Sequence, residues 1–327
     1  MATVLVTGGA GYVGSHACRA LAEAGHVPVC FDDFRTGWRA AVRFGPLVEG
    51  RLLDRAALDA AFAAHRPEAV MHFAALSLVA ESVAEPGRYW RENVGGTLTL
   101  LEAMRDAGVG RLVFSSTAAV YGDSDLALIP EHAPQRPTNP YGATKLAVER
   151  MLADFGAAHG LRAVVFRYFN VAGAAAEATI GEQHRPETHL IPLVLEAALG
   201  RREAIVQHGD DYPTPDGACV RDYIHVGDLA EAHLLGLERL LRGGESLTAN
   251  LGVGRGYSVR EVIERARAVT GRPIPARIGP RRPGDPARLV CDPALALAEL
   301  GWRARRSDLD RMIADAWTWA QGAGYDA

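Results

Sequence analysis

Short apolar runs alternate with longer amphipathic stretches through the first half of the chain. Val4–Val6 is one such run, followed by Gly8-Gly-Ala-Gly-Tyr-Val-Gly14 and an alanine-rich stretch that predicts a helix to about Ala24. Val27–Phe31, Ala69–Phe73, Leu112–Ser115 and Arg162–Arg167 read as further strands. Ala56–His65, Trp90–Ala107 and Tyr141–His159 read as the helices between them. Strands spaced by helices predict an α/β fold with a parallel, doubly wound sheet. After about Val171 the pattern changes, and Pro, Gly and His become frequent. Leu190–Leu199 and Val259–Val269 predict helices, Leu247–Leu251 a strand, and Ser307–Gln321 a closing helix with Trp317 and Trp319. Those two tryptophans read as packing rather than as a sugar platform. The division expected is a first domain over 1–171, to which 222–250 returns, and a smaller α/β substrate lobe over 172–327.

Two local patterns suggest chemistry. Gly9-x-Gly11-x-x-Gly14 follows a strand and opens a helix, the context in which glycines let backbone N–H groups close on a pyrophosphate at a helix N-terminus. Asp32, at the end of the second strand, lies at the distance expected of a carboxylate that bonds a ribose 2′-OH and repels a 2′-phosphate. This predicts a Rossmann-type domain and NAD in preference to NADP, with Arg35 weighing against that preference. The second pattern is Tyr141-Gly-Ala-Thr-Lys145. Residues i and i+4 share a helix face, and an ammonium beside a phenol lets it act as a base well below its free pKa of about 10. A base together with a dinucleotide site suggests oxidation of an alcohol.

Bulk properties narrow the class. The 327 residues allow two domains, and the 48% hydrophobic, 23% charged composition is that of an ordinary globular enzyme. A net charge of −4 without a basic run leaves no footprint for nucleic acid. No run of 18 apolar residues suggests a membrane span, and the N-terminus lacks the basic region of a signal peptide. Cys18, Cys30, Cys219 and Cys291 are scattered, which reads as buried thiols in a reducing, cytoplasmic compartment. His184 and His189 are five apart in a Pro-rich stretch, a spacing that predicts no metal site.

Further motifs run in order along the chain: Ser115-Ser-Thr-Ala-Ala-Val-Tyr-Gly122, Arg167-Tyr-Phe-Asn170, Asp211-Tyr-Pro-Thr-Pro-Asp-Gly217, Val220-Arg-Asp-Tyr-Ile-His-Val226 and Pro280-Arg-Arg-Pro-Gly-Asp285. With the glycine turn and Tyr141-x-x-x-Lys145, they make the chain resemble the extended short-chain dehydrogenase/reductase family, most closely its branch of UDP-glucose 4-epimerases, from about residue 2 to Trp319. The resemblance implies an NAD-dependent isomerase that inverts C4 of a UDP-hexose through a 4-keto intermediate. It implies Tyr141 as the base, Lys145 as the group that lowers its pKa and holds the nicotinamide ribose, and Thr117 as the hydrogen-bond donor to the reacting oxygen. Gly8, Gly11, Tyr12, Val13, Gly14, Asp32, Phe73, Ala74, Asn93, Ser115 and Tyr168 are implied at the cofactor. Asn170, Leu190, Arg221, Arg282 and Asp285 are implied at the UDP, and Leu289 at the sugar 2-substituent, where an intermediate side chain would admit some N-acetylhexosamine.

The chain departs from the family pattern at two positions. Arg51 stands where relatives carry an adenine-contacting Asp, and Ser77 where many carry a lysine near the nicotinamide ribose. A nucleotide-sugar 4,6-dehydratase would need carboxylates at Ala118 and Ala119, which argues against that branch. A UDP-uronate or pentose epimerase and a non-catalytic dinucleotide sensor are the other readings weighed, and the intact Thr117–Tyr141–Lys145 set argues against the sensor. The resemblance also implies a homodimer built on helices 90–107 and 141–159.

Overall fold

β1 (Thr3–Thr7) is the strand around which the first half of the chain assembles. Val4, Leu5 and Val6 are fully buried, as a continuous apolar run is in a parallel sheet covered on both faces. In the computed structural model, which describes residues 1–282, 285–322 and 324–325, β1 leads into α1 (Tyr12–Glu23). β2 (Val27–Asp32) and β3 (Leu47–Glu49) follow, then α2 (Arg55–His65) and β4 (Ala69–His72). The short helices α3 (Val79–Ala84) and α4 (Pro86–Tyr89) precede α5 (Gly96–Asp106). β5 (Arg111–Thr117), α6 (Pro140–His159) and β6 (Arg162–Tyr168) come next. Beyond them lie β7 (Asn170–Ala172), α7 (Leu190–Ala198), β8 (Ile205–His208) and β9 (Val220–His225). α8 (Val226–Leu241), β10 (Leu247–Leu251), β11 (Gly256–Ser258), α9 (Val259–Thr270), β12 (Ala276–Gly279), β13 (Arg288–Leu289), α10 (Ala294–Leu300) and α11 (Leu309–Gln321) complete the chain.

Contacts divide the chain into two units. The first comprises Met1–Gly122, His132–Arg167 and Ala230–Ala249; the second comprises Asp123–Glu131, Tyr168–Leu229 and Asn250–Ala327. Among the described residues, seven strands hydrogen-bond in the order β10-β6-β5-β4-β1-β2-β3. β1 pairs in parallel with both β2 and β4, so the strand order reverses there, and this is where open α/β sheets bind ligands at their carboxyl ends. The doubly wound α/β architecture agrees with the alternation read from the sequence. Leu5, Phe31, Val70, Leu112 and Phe114 of the sheet pack with Leu58 and Phe62 of α2, Leu100 and Met104 of α5, and Val148 and Leu152 of α6.

The helix expected over Trp90–Ala107 is not uniform. It opens with a π-helical turn, Trp90–Gly95, before the α-helical α5. The wider turn, a feature common at functional sites, carries the buried Asn93. The closing helix starts at Leu309 rather than Ser307, because the Asp308 side chain caps it by accepting from the backbone N–H groups of Asp310 and Arg311.

In the second unit β9 is buried along its whole length. It pairs antiparallel with β11 and parallel with β13 and, further along, with β7. Asp222 in its middle accepts from the backbone N–H groups of Val253, Gly254 and Cys291 at 2.9, 2.9 and 3.2 Å, and burial pushes its carboxyl up to about 6. The core here is built from Ile191, Val194 and Leu195 of α7, Val262 and Ile263 of α9, and Met312 and Ile313 of α11. Trp317 packs against that core and Trp319 is buried. No described helix is long and apolar enough to cross a membrane.

Candidate active site

The glycine turn is closed by backbone alone. Gly8 has φ +73°, and a Cβ there would lie 2.6 Å from the Ala74 nitrogen; a Cβ on Gly14 would lie 2.0 Å from the Gly8 carbonyl oxygen. No side chain fits at either position, so β1, the start of α1 and the loop after β4 meet main chain to main chain. That loop is fixed by the N–H groups of Phe73 and Ala74, which both donate to the Thr7 carbonyl at 2.9 and 3.0 Å. Gly11 is the N-cap of α1 without a side-chain cap, and no acid stands in the first turn with Tyr12 and Val13. The positive end of the helix thus carries no negative group of its own, which suits an anion.

Asp32 ends β2 beside this turn. Its carboxylate accepts from Ala10 N at 3.0 Å and Phe34 N at 2.9 Å; burial raises its pKa while those N–H groups oppose the rise. Arg35 pairs with Asp33 at 2.7 Å and with Glu92 at 2.8 Å, and Arg51 also pairs with Glu92, at 2.9 Å. Both arginines near the carboxylate are thus held by acids.

α6 is started by the Asn139 side chain, which accepts from Gly142 N at 2.9 Å, and by Pro140 in the first turn. Tyr141 stands half-buried in that turn, and Lys145 lies buried one turn later. The Lys145 ammonium donates to the Ser115 carbonyl at 2.8 Å and sits 4.8 Å from the centre of the Phe114 ring. Burial lowers its pKa to about 7, partly opposed by the nearby Glu149 carboxylate. The Ser115 hydroxyl bonds His233 at 2.9 Å. Thr117, the last residue of β5, accepts from Ala119 N at 3.1 Å and keeps its O–H to donate. Asn93 uses its amide on the protein: it accepts from Leu76 N at 2.8 Å and donates to Leu76 O at 3.0 Å and Thr144 Oγ1 at 3.1 Å. This ties the loop after β4 to α6.

Beneath Lys145 lies a group that the sequence reading missed. Glu149 accepts from Arg167 Nε at 3.0 Å and Nη2 at 2.5 Å, and from the Ser116 hydroxyl; Arg167 Nη1 also donates to the Tyr121 hydroxyl at 2.9 Å. The two charged side chains are 4% and 8% exposed, so each depends on the other for its charge. The available signal was spacing: Glu149 continues the Tyr141, Lys145 face by one more turn. A second unread group is His72, which bridges the hydroxyls of Thr7 and Thr97 at 2.7 and 2.9 Å. Burial, then the charge of Lys145, lowers its pKa to about 3, so it is neutral.

The second unit gathers most of the remaining candidates around β9. Leu289 is the register partner of Arg221. Arg221 pairs with Asp285 and donates to the Val220 carbonyl at 2.7 Å. The Asp285 N–H donates to the Arg282 carbonyl at 3.2 Å, and the Arg282 side chain is exposed. Pro283 and Gly284 of that motif lie outside the described residues. Asn170 opens β7 opposite Tyr223, half-buried, with only Phe169 between it and Tyr168 at the end of β6. Leu190 is the first residue of α7 and packs against the core of this unit.

The buried ion pair gives a test of the first unit. Glu149→Gln leaves the Arg167 charge without its partner, and equilibrium urea unfolding should show a loss of about 3–5 kcal/mol. A loss below about 1 kcal/mol, the range of a surface pair, would show that the pair does not hold this region together.

Known proteins with this arrangement are closely similar over nearly the whole chain. The UDP-glucose 4-epimerase of Streptomyces lividans is 55% identical over 326 residues, 98% of each chain. The UDP-glucose 4-epimerase of Brucella ovis, solved in complex with NAD, superposes with a TM-score of 0.95 at 48% identity, covering 98% of this chain and 99% of that one. The UDP-glucose-4-epimerase of Stenotrophomonas maltophila, solved with bound NAD and formylated UDP-arabinopyranose, has a TM-score of 0.95 at 45% identity over 98% of both chains. The sequence profile of the NAD dependent epimerase/dehydratase family matches residues 4–252, and the chain belongs to that family.

Proposed function

We propose that this chain is an NAD-dependent isomerase that interconverts UDP-glucose and UDP-galactose, inverting C4 through a 4-keto intermediate with no net redox change. The observation that carries this reading is Lys145, an ammonium buried one turn after Tyr141 and fixed on the Ser115 carbonyl at 2.8 Å. The same unit fits a dinucleotide. Its glycine turn leaves no room for a Cβ at Gly8 or Gly14, the α1 N-terminus has no capping side chain or acid, and Asp32 stands at the end of the neighbouring strand. In this reading Gly8, Gly11, Tyr12, Val13 and Gly14 face the pyrophosphate, and Asp32 faces the adenine ribose. Phe73, Ala74, Asn93, Ser115, Lys145 and Tyr168 line the rest of the cofactor site. When bound, NAD⁺ supplies a reversible two-electron acceptor.

Proton transfer belongs to the protein. Tyr141 takes the proton of the 4-hydroxyl, keeps it while C4 is a ketone, and returns it once C4 is restored, so no proton is lost in a cycle. The Lys145 charge favours the phenolate. Thr117 donates a hydrogen bond to O4 as negative charge collects there. Arg221, Arg282, Asp285, Asn170 and Leu190 hold the UDP, with arginine suited to the diphosphate by its fork of donors. Tight binding away from the reacting carbon leaves the sugar free to present either face. Tyr141→Phe should lower kcat for UDP-galactose by about 10²–10⁴-fold with little change in folding, read in a coupled assay for UDP-glucose; near wild-type turnover would refute the role of the phenol.

A second substrate class is supported by Leu289, a half-buried aliphatic side chain in register with Arg221. UDP-N-acetylhexosamines should be turned over with a lower kcat/KM than the unsubstituted sugars, and Leu289→Tyr should suppress only the former. Complete absence of N-acetyl turnover in the wild-type protein would remove this reading. The enzyme is proposed to act in the cytoplasm, which suits four free, buried cysteines.

The homodimer reading is supported by apolar surface on the first unit. Val79, Val83, Trp90 and Leu98 are 46%, 63%, 44% and 40% exposed and fall within one short stretch. Sedimentation velocity should give twice the 35.0 kDa chain mass for the wild type and the single chain mass for Val83→Asp/Trp90→Glu. A wild-type monomer would overturn it.

A further inference from the structure

The loop between β7 and α7 brings together two pairs of side chains that no step of the proposed reaction uses. Glu182, His184, Glu187 and His189 converge so that one ligating atom from each lies within 4.8 Å of all the others. His184 Nδ1 is 3.5 Å from Glu182 Oε1 and 3.4 Å from Glu187 Oε2; His189 Nδ1 is 2.8 Å from Glu182 Oε1 and 3.3 Å from Glu187 Oε1. Zinc bonded to nitrogen and oxygen at about 2.0–2.1 Å in a tetrahedron has ligand–ligand edges of about 3.3–3.4 Å. Three of these distances share one oxygen of each glutamate (3.5, 3.4 and 2.8 Å, with Glu187 Oε2) and lie on both sides of that value. We propose that Glu182, His184, Glu187 and His189 form a tetrahedral site for a divalent transition metal, with Zn²⁺ the best fit.

Burial and charge support the assignment. The carboxylate side chains are 6% and 8% exposed, whereas the imidazoles of His184 and His189 are 27% and 45% exposed. The acids therefore form the floor and the histidines the mouth, which leaves an entry path from water. Two carboxylates so close and so far from water demand positive charge. A dication answers that demand and releases protons as it binds. The N₂O₂ donor set selects among cations. Mg²⁺ and Ca²⁺ prefer all-oxygen shells and more ligands, while imidazole with carboxylate suits zinc and its neighbours.

The loop is also held in place from outside the cluster. The Trp319 indole N–H donates to the Glu182 carbonyl at 2.9 Å, the Gly181 N–H donates to the Tyr325 hydroxyl at 3.1 Å, and Gln183 Oε1 accepts from the Tyr325 N–H at 2.8 Å. Gly181 lies so close to Trp319 that a Cβ would stand 2.4 Å from the indole. Glu187 Oε1 is oriented by the N–H groups of Thr188 and His189 at 2.7 and 2.8 Å. His189 directly precedes α7, so a bound metal would fix the start of the helix that carries Leu190.

The test uses tag-free, full-length protein stripped with a chelator and titrated with Zn²⁺ alone by calorimetry, and with Co²⁺ alone by visible spectroscopy. One zinc per chain is expected, with the intense visible bands of tetrahedral cobalt and no thiolate-to-cobalt band. The cysteines do not compete: Cys18 and Cys291 are buried with thiol pKa values raised well above the ordinary. His184→Ala and Glu187→Gln should each weaken zinc binding by more than about tenfold, the loss that even an outer partner of a metal ligand can bring. Unchanged far-UV circular dichroism will show that each variant is folded; His184, the more exposed of the two positions, keeps the test available if Glu187→Gln does not fold. Absence of stoichiometric zinc binding, an octahedral cobalt spectrum, or wild-type zinc affinity in a folded variant would overturn the assignment, whatever the epimerase activity.

Discussion

An ammonium held out of water is the constraint around which the first unit is arranged. Lys145 loses its hydration on burial, and its pKa falls to about 7 in consequence. Every neighbour addresses that loss. The Ser115 carbonyl accepts its hydrogen bond, the Phe114 ring offers its face, and Glu149 supplies a negative charge one turn along the helix. Glu149 is itself shared with Arg167, so its charge is moderated and does not simply cancel that of the lysine. His72, the other basic group in this region, is kept neutral between two threonines and adds no repulsion. A charge maintained at the edge of its stability by fixed dipoles can bias a nearby phenol without solvent having to reorganise.

The parts of this fold that could be read from the chain are those whose causes are local. β1, β2, β4, β5 and β6 are legible because strands covered on both faces are unbroken apolar runs, and α1, α2 and α6 because their caps and periodicity lie within a few residues. The glycine turn is legible for the same reason. β9 is not. Arg221, Asp222 and His225 interrupt its apolar pattern, and each is buried only because a distant residue meets it: Asp285 for Arg221, the N–H groups of Val253, Gly254 and Cys291 for Asp222, and Ser307 and Asp315 around His225. β3, three residues long, has too little pattern to read. Arg167 shows the same limit. Half of its pair follows from helix spacing on α6, but no spacing rule connects residue 167 to residue 149. The interval between His184 and His189 along the chain carries no sign of Glu182 and Glu187, which the loop folds in beside them.

The second unit handles charge differently. Arg221, Asp222 and His225 stand together on β9, and that strand draws their partners from several parts of the chain. Arg221 and Leu289 are cross-strand partners, so a phosphate-gripping group and a sugar-facing group in the proposed reaction share one pair of backbone positions. Altering the size of one side chain there changes the packing of the other.

The order of strands has a consequence for how the protein is made. His233, which bonds the Ser115 hydroxyl, and the first three residues of β10, the edge strand beside β6, come from the returning segment Ala230–Ala249. As the chain leaves the ribosome, β6 emerges as an open edge and stays one while some eighty further residues are added. Only then is the edge of β6 sealed. A nascent chain stopped before residue 233 would carry the tyrosine and the lysine but lack both β10 and His233.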